Sequence, residues 1–197
     1  MKPQTALKNL ATLLKAPSFT SADALARGVT AATLAHYVNH GAIKRIGHGV
    51  YKGSDSPETD FKWEDLVEAT QRVNGGVVCL ISALALYELT DQIPRDHWIA
   101  IKNETSHHGA KLTRIVRFRN MTLGLSKIKV GEVDVPVFDR ERTIIDSFRH
   151  LSVEVAIKAL KIALAAQGDS KLDMKKLNLY AKKLRFDIKP YILALTT

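Results

Sequence analysis

The 197-residue sequence predicts an α+β fold in two parts, and three observations carry that reading. First, apolar residues near the N-terminus recur at helical spacing, punctuated by glycines, and a short basic hairpin follows. Second, Ser54-Asp-Ser-Pro57 is polar and turn-forming and marks a linker. Third, alternating apolar and polar residues between 97 and 138 are flanked on both sides by helical patterns. The expected domains are residues 1–55 and residues 58–197. The second is a larger α+β domain with a small, mostly antiparallel sheet and C-terminal helices.

Leu7, Leu10, Ala11 and Leu14 repeat at i, i+3, i+4 and i+7 and predict an amphipathic helix that Pro17 ends. Thr20-Ser-Ala-Asp23 has the form of a capping box. It opens a short helix carrying Ala24 and Leu25, and Gly28 stops that helix in a left-handed turn. Thr30 caps a third helix with Leu34, Tyr37 and Val38 on its inner face, and Gly41 ends it. Residues 43–46 and 50–52 form the arms of a hairpin around Gly47-His48-Gly49. With Arg27-Gly28-Val29 as the turn, this is the order of a winged helix-turn-helix.

In that motif the second helix of the pair meets base edges in the major groove. Here it would present Thr30, Ala31, Thr33 and His36, with Tyr37 on the boundary with the core. Short side chains permit close approach, Ala and Thr methyls suit thymine methyls, and Thr or His hydrogen-bonds base edges. The hairpin supplies Lys44, Arg45, His48 and Lys52 for phosphates or the minor groove, while Gly47 and Gly49 keep its tip small. The bland alternatives are a solubilising hairpin and a winged helix used for protein contact.

In the second part, residues 61–73 predict a helix with Trp63, Leu66, Val67 and Thr70 on one side, broken by Gly75-Gly76. Residues 77–89 are apolar almost all round, the mark of a buried helix, here entered through a short extended start. Residues 97–102 and 114–119 read as strands. Residues 128–130 and 133–138 form a hairpin about Gly131-Glu132, and Pro136 places its second arm at an edge. Asp139 caps a helix through His150, and Ser152 caps another that Gly168 stops. Ser170-Lys-Leu-Asp173 reads as a second capping box and opens a basic helix to Arg185. A short segment, 188–195, contains Pro190.

The net charge of +9 is uneven: residues 1–57 carry +5, 58–146 carry −2 and 147–197 carry +6. Basic ends around a slightly acidic middle suggest an anionic partner, most often nucleic acid, beside plain solubility. In the 171–185 stretch, Lys171, Lys175, Lys176, Lys182, Lys183 and Arg185 face a single acid, Asp173. They form a candidate anionic-partner surface on a helix packed by Leu172, Leu177, Leu179 and Leu184. The one cysteine excludes a disulfide framework. The N-terminus lacks a basic region followed by an apolar one, so no signal peptide is expected. The longest apolar run, 77–87, is too short to span a bilayer. A cytoplasmic location and no membrane partner follow as expectations.

No phosphate-cradling glycine motif, dinucleotide fingerprint or zinc spacing is present, so no catalytic residue, metal or cofactor is expected, and no enzyme. His107 and His108 stand in a polar stretch that reads as an exposed loop. Asp134, Asp139 and Glu141 raise a metal-dependent nuclease. However, the Glu-x-Lys pair such folds need is missing: Arg142-Thr143 follows Glu141. Arg142, Asp146 and Arg149 are spaced for an intrahelical ion pair at least as readily as for a site. Cys79, among Val77, Val78, Leu80 and Ile81, reads as an inert core thiol. With no heptad stripe, the expectation is a monomer in solution that places one copy on each half of an inverted repeat.

Over essentially its whole length the chain resembles the AbiEi-type antitoxins of type IV toxin-antitoxin systems, a family named for abortive phage infection. The N-terminal match is "TSADALARGVTAATLAHYVNHGAIKRIGHGVYKG", in which "GAIKRIGHGVY" has the helix-end glycine, basic arm, Gly-x-Gly tip and aromatic. Further on, "GGVVCLISALALYELTDQIP" and "VPVFDRERTIIDSFRH" are similar to the family's small-residue helix and strand-into-helix segment. The resemblance implies a winged helix that binds inverted repeats in its own promoter and represses the operon. It implies a second domain that opposes a nucleotidyltransferase-like toxin; it does not itself single out the lysines of 171–185, which their charge makes a candidate antitoxic or anionic-partner surface. Two other readings stay open: a DNA-binding regulator without a toxin partner, and a nuclease with a winged-helix targeting domain.

Overall fold

The computed structural model describes residues 3–58, 61–105 and 112–196. The chain divides into two compact units, residues 1–74 with 129–134 and residues 75–128 with 135–197. His107 and His108, and the side chain of Leu7, lie outside the described residues.

The first unit runs α1 (Pro3–Leu14), β1 (Phe19–Thr20), α2 (Ser21–Ala26), α3 (Ala31–Asn39), β2 (Ile43–Gly47), β3 (Val50–Gly53) and α4 (Glu64–Arg72). The expected capping box forms. Thr20 Oγ1 accepts from Asp23 N, and Asp23 Oδ2 accepts from Thr20 N at 2.8 Å. Thr30 caps α3 by accepting from Thr33 N. Gly28 and Gly41 turn the chain at φ +76° and +71°, conformations that cost a residue with a Cβ about 1 kcal/mol or more. The two-residue β1 is too short for a periodicity to reveal. It pairs with β3 through Phe19↔Tyr51 and Thr20↔Val50, making a three-stranded antiparallel sheet in the order β1-β3-β2. Leu10, Phe19, Ala24, Val29, Leu34, Tyr37, Ile43 and Tyr51 form its core.

The stretch expected to act as a linker is tied down: Ser56 Oγ donates to the Ala16 carbonyl at 3.0 Å. Beyond it α4 packs against β2, and the compact division falls after Asn74 instead.

The second unit holds β4 (Val77–Val78), α5 (Leu80–Leu86), β5 (His97–Lys102), β6 (Thr113–Phe118) and most of β7 (Leu125–Val130) and β8 (Val133–Phe138), whose turn ends, residues 129–134, group with the first unit. Helices α6 (Arg140–His150), α7 (Val153–Ala165), α8 (Met174–Lys183) and α9 (Lys189–Thr196) complete it. Its five strands lie in the order β6-β5-β4-β8-β7. The sheet is mixed, which corrects the expectation of mostly antiparallel pairing: β5 runs parallel to β6 and β4 parallel to β8. Neighbours in sequence joined by a tight turn pair antiparallel, but β5 ends at Lys102 and β6 begins at Thr113, so no tight hairpin turn imposes that pairing. Pro136 also lies in an interior strand rather than at an edge. Its neighbour β4 is only two residues long and meets β8 at Val78↔Val137, a contact the proline leaves free.

Asp139 and Ser152 cap α6 and α7 as expected. The box proposed at Ser170 does not form. Gly168–Ser170 closes a 3-10 turn, and Asp173 caps α8 by accepting from Lys175 N and Lys176 N. Lys171 therefore precedes the helix and Arg185 follows it. Pro190 sits in the first turn of α9, where no intrahelical N–H is required. Among the described residues no helix is long and apolar enough to cross a membrane.

Candidate nucleic-acid interface

Helix α3 buries Leu34 and Tyr37 and turns Ala31, Ala32, Ala35, His36, Asn39 and His40 outward. Four of these, Ala32, Ala35, Asn39 and His40, lie outside the sequence-derived set. They were legible as the face opposite Leu34 and Tyr37 in a 3.6-residue period. Thr30 and Thr33 are partly committed to the helix itself, their hydroxyls 3.0 Å apart. The His36 and His40 rings meet at a tilt with centroids 4.0 Å apart, and His40 Nδ1 lies 2.8 Å from the His36 carbonyl. The exposed face is thus small-sided at its N-terminal end and imidazole-rich at its C-terminal end.

The hairpin is held on two sides. At its tip, Ser21 N donates to the Gly49 carbonyl at 2.8 Å, fixing the turn against the start of α2. Gly49 has φ +66°, and a Cβ there would meet Ser21 Oγ at 3.0 Å. Gly47 has a different reason to be glycine. A Cβ on it would stand 2.9 Å from Arg72 Cγ, so the α4 arginine lies across it. Arg72 Nε donates to the Ile46 carbonyl, and Arg72 Nη2 pairs with Glu68 Oε2 at 2.6 Å. The other Glu68 oxygen takes Lys44 Nζ at 3.2 Å. A register shift between Arg45 and Gly47 lets both Ile43 and Ile46 point inward, breaking the simple alternation of a strand.

Four basic residues of the hairpin therefore occupy different situations. Lys44 is exposed but braced by Glu68. Arg45 is exposed, with its Nε on the Gly47 carbonyl at 3.1 Å. His48 is exposed at the tip, and Lys52 is half-buried. Lys44 and Lys52 face each other across the β2–β3 register, a like-charge pairing that opposes the hairpin unless a counter-charge is near. Lys44, Arg45, Lys52, the end of α3 and Glu64 line an open groove of about 570 Å³.

The lysine-rich candidates of the second unit divide likewise. Lys176 is drawn inward, 2.9 Å from Asp139 Oδ2 and 3.4 Å from Glu141 Oε2. Burial opposes its charge, but the Asp139 hydrogen bond and the two carboxylates hold its ammonium well above the usual range. Lys171, Lys175, Lys182, Lys183 and Arg185 are exposed. Asp139 also accepts from Tyr180 Oη at 3.1 Å and from Arg142 N, and Glu141 Oε1 accepts from Asp173 N at 2.9 Å. Asp134 is exposed. Among the described residues no group of three or more His, Cys, Asp or Glu side chains is placed to hold a metal ion. Cys79 is buried, and burial pushes its thiol well above the usual range.

Residues 14–51 match a family model described as a transcriptional regulator, AbiEi antitoxin. The matched segment runs from the last residue of α1 into β3, taking in α2, the turn, α3 and the hairpin tip. No curated protein matches the chain.

Proposed function

We propose that the chain is the antitoxin of a type IV toxin-antitoxin system and represses its own operon. Its first unit would act as a winged helix-turn-helix on an inverted-repeat operator, and its second would oppose a nucleotidyltransferase-like toxin. One observation carries the reading: the antitoxin-regulator match, residues 14–51, coincides with the α2–turn–α3–hairpin segment that turns small side chains, imidazoles and cations outward. In this reading α3 lies in the major groove with Ala31, Thr33 and His36 toward base edges. The hairpin follows the backbone, with its exposed cations toward phosphates.

The chain acts without catalysis in this reading. Asp139 and Glu141, the carboxylates that raised a nuclease, are engaged by Lys176, Tyr180 and backbone N–H groups at the α6–α8 junction. A cytoplasmic monomer that loads one copy per half-site completes the proposal.

Co-expression with a candidate nucleotidyltransferase-like toxin, alongside a promoter-reporter assay, tests both halves. Residues 75–197 are expected to retain protection and lose repression. Arg45→Ala is expected to weaken binding to operator and unrelated duplex alike, and His36→Ala to change operator preference by about 1–3 kcal/mol. Repression without any protection would leave a regulator with no toxin partner. Full activity after deletion of the hairpin would remove the DNA-binding assignment.

A further inference from the structure

The second unit contains a cleft of about 480 Å³ lined by Arg117, Phe118, Arg119, Asn120, Arg142, Arg149, His150, Lys183, Leu184 and Arg185. No carboxylate lines it. Arg142 is already satisfied at its floor. Its guanidinium holds Asp146 Oδ2 at 2.5 Å and the carbonyls of Leu123 and Asn120 at 2.9 and 3.2 Å. Asp146 spends its other oxygen on Arg149 at 2.7 Å. Arg117, Arg119, Lys183 and Arg185 have no acidic partner among the described residues.

Cations near the ends of α6 and α8 have an ordinary explanation in the helix dipole, which favours positive charge at a helix C-terminus. That accounts for Arg149 and Lys183. It does not account for Arg117 and Arg119, which come from the end of β6 and the loop after it. Arg185, one residue past the C-cap of α8, also stands where the dipole favours a cation, but its φ of +55° falls at the position where glycine is the usual residue. The chain thus keeps an arginine in a disfavoured backbone conformation at the rim of a cleft already rich in uncompensated charge. Burial holds the His150 imidazole below its ordinary range, and Arg149 and Arg142 push it further down against Asp146.

We infer that this cleft binds a ligand carrying two or more adjacent phosphates, with Arg117, Arg119, Lys183 and Arg185 as its contacts. Guanidinium groups match phosphate oxygens two at a time, and several unpaired cations on one concave surface call for a multiply charged anion rather than a single carboxylate. The source is a free nucleotide or the backbone of a nucleic acid strand, which share this chemistry. The inference does not depend on how the first unit binds DNA.

Titration calorimetry on the full chain, with inorganic tripolyphosphate as the probe, tests it. One-to-one binding is expected. Arg117→Gln with Lys183→Gln should weaken it by about a hundred-fold, since each charge-assisted contact is worth about a factor of ten. Arg185→Gly is the decisive variant: glycine suits φ +55°, so the melting temperature should hold or rise while phosphate affinity still falls about ten-fold. ATP and a short oligothymidylate then serve as competitors. Displacement by ATP assigns a free nucleotide, displacement by the oligonucleotide assigns a strand backbone, and both depend on the same residues. No saturable tripolyphosphate binding at millimolar concentration overturns the inference. So does binding indifferent to Arg185→Gly and the double substitution, or probe binding that neither competitor displaces.

Discussion

Glu68 in the first unit and Asp146 in the second are both buried carboxylates that hold two cations each. Their partners stand in different places. Asp146 pairs with Arg142, whose side chain is 2% exposed, and Arg142 in turn anchors the Asn120 and Leu123 carbonyls. Glu68 pairs with Lys44, whose side chain is 68% exposed on the hairpin, and with Arg72, which lies over Gly47 and holds the Ile46 carbonyl. The first arrangement belongs to the interior: Asp146 and Arg142 are both desolvated, with only Arg149 reaching solvent, and removing the carboxylate strands the buried guanidinium. The second is a brace under a surface element, and one of its charges stays within reach of solvent and of any polyanion. Similar chemistry serves stability in one unit and presentation in the other.

Breaking the interior pair has the largest expected effect. Asp146→Ala leaves the Arg142 guanidinium buried without its counter-charge and frees Arg149, and a loss of about 3–5 kcal/mol is expected in urea denaturation. The hairpin of the other unit should be untouched. A loss as small as that of an exposed ion pair would mean that the two carboxylates are equivalent after all.

Glu68→Gln sharpens the comparison from the other side. Folding stability is expected to fall by about 1–3 kcal/mol, because Arg72 loses a charged partner while keeping the Ile46 carbonyl. Lys44 is released at the same time. In a salt titration of duplex binding, the slope of log K against log salt should steepen by up to about one, the contribution of one further phosphate contact. An unchanged slope would remove Lys44 from the DNA-facing set and leave it as a structural partner of Glu68 alone.

The contrast also explains which features were legible in the sequence. Features set by residues within one turn of each other were. Thr20 with Asp23, Thr30 with Thr33 and Asp139 with Arg142 N all form as the spacing predicts. Ser170 failed because a competing cap, Asp173, lay three residues on, and only the 3-10 turn at Gly168–Ser170 decides between them. Features that depend on distant partners were not legible. Glu68 reads as a solvent residue on an amphipathic helix until β2 is placed against α4. Arg142 reads as half of an intrahelical pair until the Asn120 and Leu123 carbonyls close around it. The parallel β4–β8 contact joins strands 55 or more residues apart, beyond the reach of any local pattern. The outward face of α3 was half readable from periodicity, but the division of the hairpin cations into braced and free was not.

Thr30→Ala probes the local level at which the sequence was most informative. It removes the cap on Thr33 N and should cost about 1 kcal/mol in denaturation, well below either carboxylate change. Its effect on operator binding should exceed what that loss of stability explains only if the hydroxyl also meets DNA. Thr30→Ser, which keeps the hydroxyl and drops the methyl, then reports whether the methyl adds anything to operator binding.

Asp23 is the exposed counterpart of the two buried carboxylates, and its effect is the smallest. The Thr20 backbone N–H, then the Thr20 hydroxyl, hold its carboxyl below the ordinary value of 3.8, with burial opposing and Arg27 assisting. A folded-state value below the unfolded one means that the folded chain releases the proton more readily. Its contribution to stability is therefore present above the unfolded value and is lost as pH falls through the folded one, in a window below about pH 4. Carboxyl-resolved NMR titration is the check. Asp23 should titrate below a model aspartate in the wild type and move part of the way back in Thr20→Ala, where the hydroxyl is gone but the backbone donor remains. An Asp23 that titrates at the ordinary value with Thr20 intact would mean that the capping box contributes shape to α2 and no electrostatic stabilisation.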